Sequence, residues 1–160
     1  MLNIRLICVG KLGERFWKDA AAEYVKRLSA YCKLEVIEIP EQRLPDSPAD
    51  KQIETALSRE AAQISAKIPQ GAAVIAMCIE GETMPSTQFA AVLNRWMLQG
   101  ISRIAILIGG SCGLDEALKT QAKLRLSMSP MTFPHHLARI MVLEQLYRAF
   151  NIQSGGKYHK

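Results

Sequence analysis

The sequence predicts a single α/β domain over residues 1–160, with a mostly parallel sheet and helices on both faces. Segments with a strand pattern alternate with segments of helical periodicity, which is typical of parallel α/β folds. Two strand segments, 72–79 and 103–108, are apolar runs between turn residues, as expected of strands buried on both faces. No linker or repeat divides the chain. A domain of this length can bury a core without a disulfide or a metal.

Five segments have the composition and patterning of strands. The first is closed by Gly10 and Gly13, the second alternates apolar and charged residues before Pro40, and the last is short. In chain order, the predicted strands are 3–9, 34–39, 72–79, 103–108 and 124–128.

Five further segments predict helices. The first repeats apolar residues every three or four positions, the second has high helix propensity, and the third is closed by Gly100. The fourth is short, and Pro134 opens the last. In chain order, the predicted helices are 14–31, 50–68, 86–99, 115–123 and 134–152. Three prolines mark residues 40–50 as an exposed loop.

The loops after three of these strands are the predicted functional site. In parallel sheets, ligands bind beyond the carboxyl ends of the strands. This rule selects the loops that contain residues 77–81, 109–113 and 127–134.

The last helix is apolar around most of its circumference. A helix of this kind must be buried on most sides, and one small domain covers only one side. We therefore expect a homodimer, the alternative being a central helix packed within one chain. The apolar residues are Leu137, Ile140, Met141, Val142, Leu143, Leu146, Tyr147 and Phe150.

The positive charge lies in the last 60 residues. Residues 1–100 contain twelve Lys and Arg against twelve Asp and Glu, whereas residues 101–160 contain eight against three. This surplus indicates either a solvated face or an anionic partner such as nucleic acid. The four cysteines have no C-x-x-C spacing, and no apolar run is long enough to span a membrane, so we expect a cytoplasmic protein.

Residues 109–113 match the G-x-S-x-G pattern of a hydrolase nucleophile elbow at Ser111. Glu144 and His159 follow in the order acid, then histidine. Against this interpretation, hydrolases of that class are larger and carry an HGGG-type segment that is missing here. Paired glycines after a buried strand more often permit a tight turn or close approach of a ligand.

Basic and aromatic residues near the C-terminus are further candidates for chemistry. His135, His136 and Arg139 open the last helix, where cations and free backbone amides can bind a phosphate; capping and solvation are the alternative. Tyr158 and His159 can stack on and bond to a base, or belong to a frayed tail. The histidines and cysteines lack the spacing of a zinc site.

Several groups of residues, taken together and in chain order, resemble the RlmH family of the SPOUT superfamily. They are 7–12 (ICVGKL) with Tyr24 and Arg27, 108–114 (IGGSCGL), 126–135 (LSMSPMTFPH), Arg139 with 144–150 (EQLYRAF), and Tyr158 with His159. The resemblance implies a cytoplasmic homodimer that methylates N3 of a pseudouridine in 23S ribosomal RNA within the assembled ribosome. S-adenosylmethionine would be the methyl donor, with no metal. It also implies a SPOUT-type α/β domain with a C-terminal trefoil knot.

The same resemblance assigns roles to individual residues. His135, Arg139 and His159 are the catalytic candidates, which recognise the RNA or stabilise charge on the acceptor nitrogen. Arg139, Tyr158 and His159 are the substrate-binding candidates. The residue after Met77 is usually acidic in related sequences, but here it is Cys78. The cofactor-binding candidates are Met77, Gly109, Met128, Ser129, Pro130, Met131, Thr132 and Phe133.

Overall fold

The computed structural model describes residues 1–159 and contains all the predicted elements. The strands are β1 (Leu2–Val9), β2 (Cys32–Ile39), β3 (Ala73–Glu82), β4 (Arg103–Ile108) and β5 (Leu124–Leu126). The helices are α1 (Arg15–Leu28), α2 (Asp50–Ser65), α3 (Ser86–Leu98), α4 (Glu116–Gln121) and α5 (His135–Gln153).

The five strands form one parallel sheet in the order β2-β1-β4-β3-β5. Alternate residues of β1 point to opposite faces, so Ile4 and Leu6 belong to one core and Ile7 and Val9 to the other. The first core is covered by α1, α3 and α5, and the second by α2 and α4. The predicted fold class, with helices on both faces, is confirmed. The path of the chain through a knot stays a prediction.

Three element boundaries differ by three residues from the sequence-based ones, and the other differences are of one or two residues. The helix α1 ends at Leu28, because a turn over residues 29–31 leads directly into β2. The helix α2 ends at Ser65, after which the amide of Lys67 bonds to the carbonyl three residues earlier. The strand β3 continues to Glu82, which pairs with β5 across a bulge.

The helix α5 packs between α1 and α3, so much of its apolar surface is already buried within one chain. A stripe on its other side is only half-buried, and the homodimer stays a prediction. This half-buried stripe consists of Leu137, Ile140, Met141, Glu144 and Arg148. Within the described residues, no helix is both long and apolar enough to cross a membrane.

Candidate active site at the carboxyl ends of the strands

A cavity of about 450 Å³ lies where the sequence analysis places the site, between the end of β3, the loops after β4 and β5, and the start of α5. We call it the main cavity. All the predicted cofactor residues except Pro130 line it: Met77, Gly109, Met128, Ser129, Met131, Thr132 and Phe133. Pro130 is exposed on the same loop. A second cavity of about 300 Å³ shares Met77 and Met128 with the main cavity.

Hydrogen bonds hold the loop after β5 in place. The buried Ser127 donates from its amide to the carbonyl of Glu82 (2.9 Å) and from its hydroxyl to the carbonyl of Ser129 (3.0 Å). The amide of Met131 donates to the hydroxyl of Ser129 (3.0 Å). These short-range bonds satisfy the loop backbone, so Met128 and Met131 line the cavity from a preformed loop.

The loop after β4 folds back on itself at its glycines. Gly110 and Gly113 form an isolated antiparallel bridge, and Gly113 has a φ of 78°. A Cβ atom at Gly109 would lie 2.4 Å from the carbonyl carbon and oxygen of Gly113. Gly109 is therefore required by the backbone of its own loop, in addition to any close approach of a ligand.

Ser111 is held by a carboxylate rather than by a histidine. Its hydroxyl and its amide both donate to Oε1 of Glu41, at 2.7 and 2.9 Å. Partial burial raises the pKa of Glu41, but the two bonds from Ser111 and the nearby His135 and His136 outweigh it, and the net pKa is lowered. Glu144 pairs with Arg148 instead. The residues of a hydrolase triad are thus not brought together.

His135 lies in the wall of the main cavity with its ring against Gly10. Its Nδ1 atom is buried and has no hydrogen-bond partner within residues 1–159. Burial, the adjacent His136 ring and Arg139 lower its pKa, against an opposing effect of nearby carboxylates. The imidazole is therefore neutral near pH 7, and a neutral imidazole can accept a proton.

Arg139 lies one turn beyond His135, but its guanidinium points into the protein. The residue is 2% exposed. It donates to Oε2 of Glu38 at 2.8 Å and to the carbonyl of Gly10 at 3.0 Å. These two hydrogen bonds link the ends of β1 and β2 to α5, and the guanidinium does not face solvent.

The C-terminal tail packs along α5 rather than over the main cavity. The hydroxyl of Tyr158 donates to Glu144 (3.1 Å), and Nδ1 of His159 lies 3.2 Å from Nη1 of Arg148. Burial and the Glu144 carboxylate raise the pKa of Tyr158 to about 12. Arg148 is about 20 Å along the helix from His135, at about 1.5 Å per residue. One chain therefore does not bring His159 and His135 together.

The structure adds charged residues that the sequence analysis did not select. Glu80 and Lys119 line the main cavity and form an ion pair of 2.6 Å. Glu80 lies two residues after Cys78, whose thiol has a pKa raised mainly by burial. The end of β3 therefore still supplies a carboxylate to the cavity. Glu41, which follows β2, could have been selected by the same strand-end rule that selected the other loops. Among residues 1–159, no group of three or more potential ligands could hold a metal ion.

Comparisons with known proteins show the family to which this chain belongs. A family model described as predicted SPOUT methyltransferase matches residues 2–159. A ribosomal RNA large subunit methyltransferase H from Streptococcus equi subsp. zooepidemicus is 44% identical over 159 residues, which cover 99% of this chain and 100% of the relative.

Solved structures show the same fold at low sequence identity. A probable methyltransferase from Bordetella pertussis has a TM-score of 0.58 at 16% identity, over 93% of this chain and 96% of that one. A putative methyltransferase from Legionella pneumophila, solved with bound SAM, has a TM-score of 0.50 at 14% identity, over 97% of this chain and 67% of that one. The full-length family match and the 44% identical relative together establish that this chain belongs to the SPOUT methyltransferase family, whose methyl donor is S-adenosylmethionine.

Proposed function

We propose that the protein methylates N3 of a pseudouridine in 23S ribosomal RNA, within the assembled ribosome and in the cytoplasm. The observation that carries this proposal is that the predicted cofactor loop and the imidazole of His135 line one cavity. The name of the Streptococcus equi relative supports a ribosomal RNA substrate. The resemblance described above supports the choice of base and atom.

The main cavity fits S-adenosylmethionine. Its volume of about 450 Å³ lies within the usual range for small-molecule sites. Met128, Met131 and Phe133 supply apolar walls, and Ser129 and Thr132 add polar side chains to the lining. When bound, the cofactor supplies a methyl group activated on a sulfonium. The chain therefore has to position the acceptor in line with it and exclude water.

The acceptor nitrogen must lose a proton during methyl transfer, and His135 is our candidate to accept it. Its imidazole is neutral, and it lies in the cavity wall beside the cofactor loop. Arg139 has a different role in this proposal. Its guanidinium is buried and already bound to Glu38 and Gly10, so it positions the surroundings of His135 and adds a positive charge that keeps the imidazole deprotonated.

A homodimer would complete the site. Tyr158 and His159 can act on a substrate at the main cavity only if they come from a second copy, because their own chain places them far along α5. The half-buried stripe of α5 offers a surface for that copy, and it contains apolar Leu137, Ile140 and Met141.

The modest positive charge of +5 is consistent with a structured target on the ribosome. Tight binding of free RNA needs many phosphate contacts, whereas over residues 1–100 of this chain the acidic residues equal the basic ones in number. We therefore expect weak activity on naked transcripts and strong activity on assembled particles.

A methyl-transfer assay with tritium-labelled cofactor tests the proposal. The substrates are ribosomes that lack the modification and protein-free 23S transcripts, followed by mapping of the labelled base. Label on N3 of a single pseudouridine, in ribosomes only, is the expected result. Equal turnover on the two substrates would exclude the ribosome requirement, and label on another base would exclude the proposed target.

A further inference from the structure

Four aromatic side chains form a continuous row from the wall of the main cavity to the protein surface. This aromatic row consists of His135, His136, Trp17 and Phe16. The ring centroids of His135 and His136 are 3.8 Å apart. The rings of His136 and Trp17 are nearly parallel, with 13° between their planes and 6.1 Å between centroids. Trp17 and Phe16 follow at 5.0 Å.

The outer end of the aromatic row is open to solvent, and core packing does not account for it. Phe16 is 62% exposed, while Trp17 and His136 are half-buried. The α1 residues that contact the core lie further along the helix, at Tyr24 and Leu28 among others. Phe16 and the half-buried rings of Trp17 and His136 together form a contiguous aromatic surface, and such a surface is a candidate interaction site.

The charge near the aromatic row favours stacking over phosphate binding. Lys11, Arg15 and Lys18 surround Phe16, but Glu14 and Asp19 lie among them, so residues 11–19 have a net charge of +1. A segment with so small a net charge can neutralise few phosphates. Aromatic faces, by contrast, bind unpaired bases of any sequence by stacking, and His rings take part in this kind of recognition.

We propose that the aromatic row stacks on an unpaired base next to the methylated nucleotide. This inference rests on the proposed function, because it requires an RNA substrate. The row begins at His135 in the cavity wall, so a base next to an acceptor nucleotide in the main cavity can reach the rings of the row. If a second copy of the chain bound to the row instead, it would cover these rings and prevent a base from stacking on them.

Phe16 is the residue to test, because its exposure makes substitution harmless to the fold. Phe16→Leu keeps an apolar side chain but removes the flat ring, Phe16→Tyr keeps the ring, and Leu98→Ala removes an apolar residue that is 80% exposed on α3. For each variant we would measure kcat and KM for methyl transfer to ribosomes that lack the modification. Calorimetry would give the affinity for S-adenosylmethionine, and sedimentation would give the oligomeric state.

We expect Phe16→Leu to raise KM for ribosomes about tenfold, the effect of losing one stacked base, with kcat and cofactor affinity unchanged. Phe16→Tyr and Leu98→Ala should behave as the wild type. An unchanged KM in Phe16→Leu, or a change in oligomeric state that shows a second copy on the row, would overturn the inference. If the wild-type protein binds the cofactor but labels no RNA, the proposed function itself fails and the inference falls with it.

Discussion

The Nη2 atom of Arg139 donates a hydrogen bond of 3.0 Å to the carbonyl oxygen of Gly10, which joins the residue after β1 to the first turns of α5. The ring of His135 packs against the same glycine. A Cβ atom at Gly10 would lie 2.7 Å from Cε1 of that ring. Arg139, Gly10 and His135 therefore form one packed unit beside the main cavity.

Replacement of Arg139 should destabilise the protein. Arg139→Met leaves the carbonyl of Gly10 and the carboxylate of Glu38 without their buried donor, and we expect a loss of about 2–3 kcal/mol in the free energy of unfolding. Urea denaturation measures it. The control is Arg15→Met, which breaks an exposed pair with Asp19 and should change stability by less than about 0.5 kcal/mol. Equal effects of the two substitutions would show that the buried contacts contribute little.

The pH dependence of methyl transfer should reveal the neutral state of His135. Its pKa is lowered, so the imidazole gains a proton, and activity falls, only below the ordinary pKa of histidine. His136→Gln removes a neighbour that lowers this pKa, so the acid limb should move to higher pH. Nearby Glu41 and Glu38 act in the opposite direction, and Arg139 lowers the pKa as His136 does.

His135→Gln should abolish that acid limb and lower kcat about 100-fold or more. Cofactor affinity, measured by calorimetry, should change much less. A variant that keeps the wild-type pH profile would show that His135 accepts no proton in the reaction.

Glu41 should contribute to cofactor binding without lining the cavity. Glu41→Gln weakens both hydrogen bonds from Ser111 and loosens the glycine loop, so we expect a three- to tenfold loss of affinity for S-adenosylmethionine, about one hydrogen bond's worth. The pKa of Glu41 is lowered, so the contact persists above the ordinary carboxyl range and disappears as the pH falls through the lowered value. Glu35→Gln, on the exposed ion pair with Arg5, is the matched control.

Gly109→Ala should destabilise the fold as well as the site. Its Cβ atom would overlap the backbone of Gly113, so we expect a loss of about 3 kcal/mol in thermal or urea unfolding. In Gly113→Ala the added Cβ atom meets nothing within 4 Å. We expect this variant to lose only about 1–2 kcal/mol in the free energy of unfolding, because alanine is less stable than glycine in the left-handed conformation. Equal stability of the two variants would show that the loop can open to admit a side chain. The backbone of the loop would then not require Gly109, and only close approach of a ligand would explain it.

The homodimer prediction can be tested on the stripe of α5. Met141→Lys places a charge among Leu137 and Ile140, so we expect sedimentation to show a single chain where the wild type shows two. Leu98→Lys, on the exposed end of α3, should leave the wild-type mass unchanged. A wild type that sediments as one chain at micromolar concentration would remove the proposed surface altogether.

The sequence predicted the fold well because strand and helix patterns are local. It also selected loops that line the main cavity, since the strand-end rule depends only on the order of the elements. Contacts between distant segments were not predictable in the same way. Glu38 and Arg139 are 101 residues apart, and nothing in the chain indicates that this arginine turns inward. The hydrophobic pattern of the sequence does not indicate a role for Phe16. Its place in the aromatic row appears only when α1 and α5 are packed side by side.

The walls of the main cavity come from residues 77–138, which run from β3 to the first turn of α5. A chain still being synthesised has no complete main cavity until the first turn of α5 has emerged. In newly made protein the main cavity is therefore complete only after residues 77–138 have all been synthesised, when the rest of α5 can also pack over the sheet.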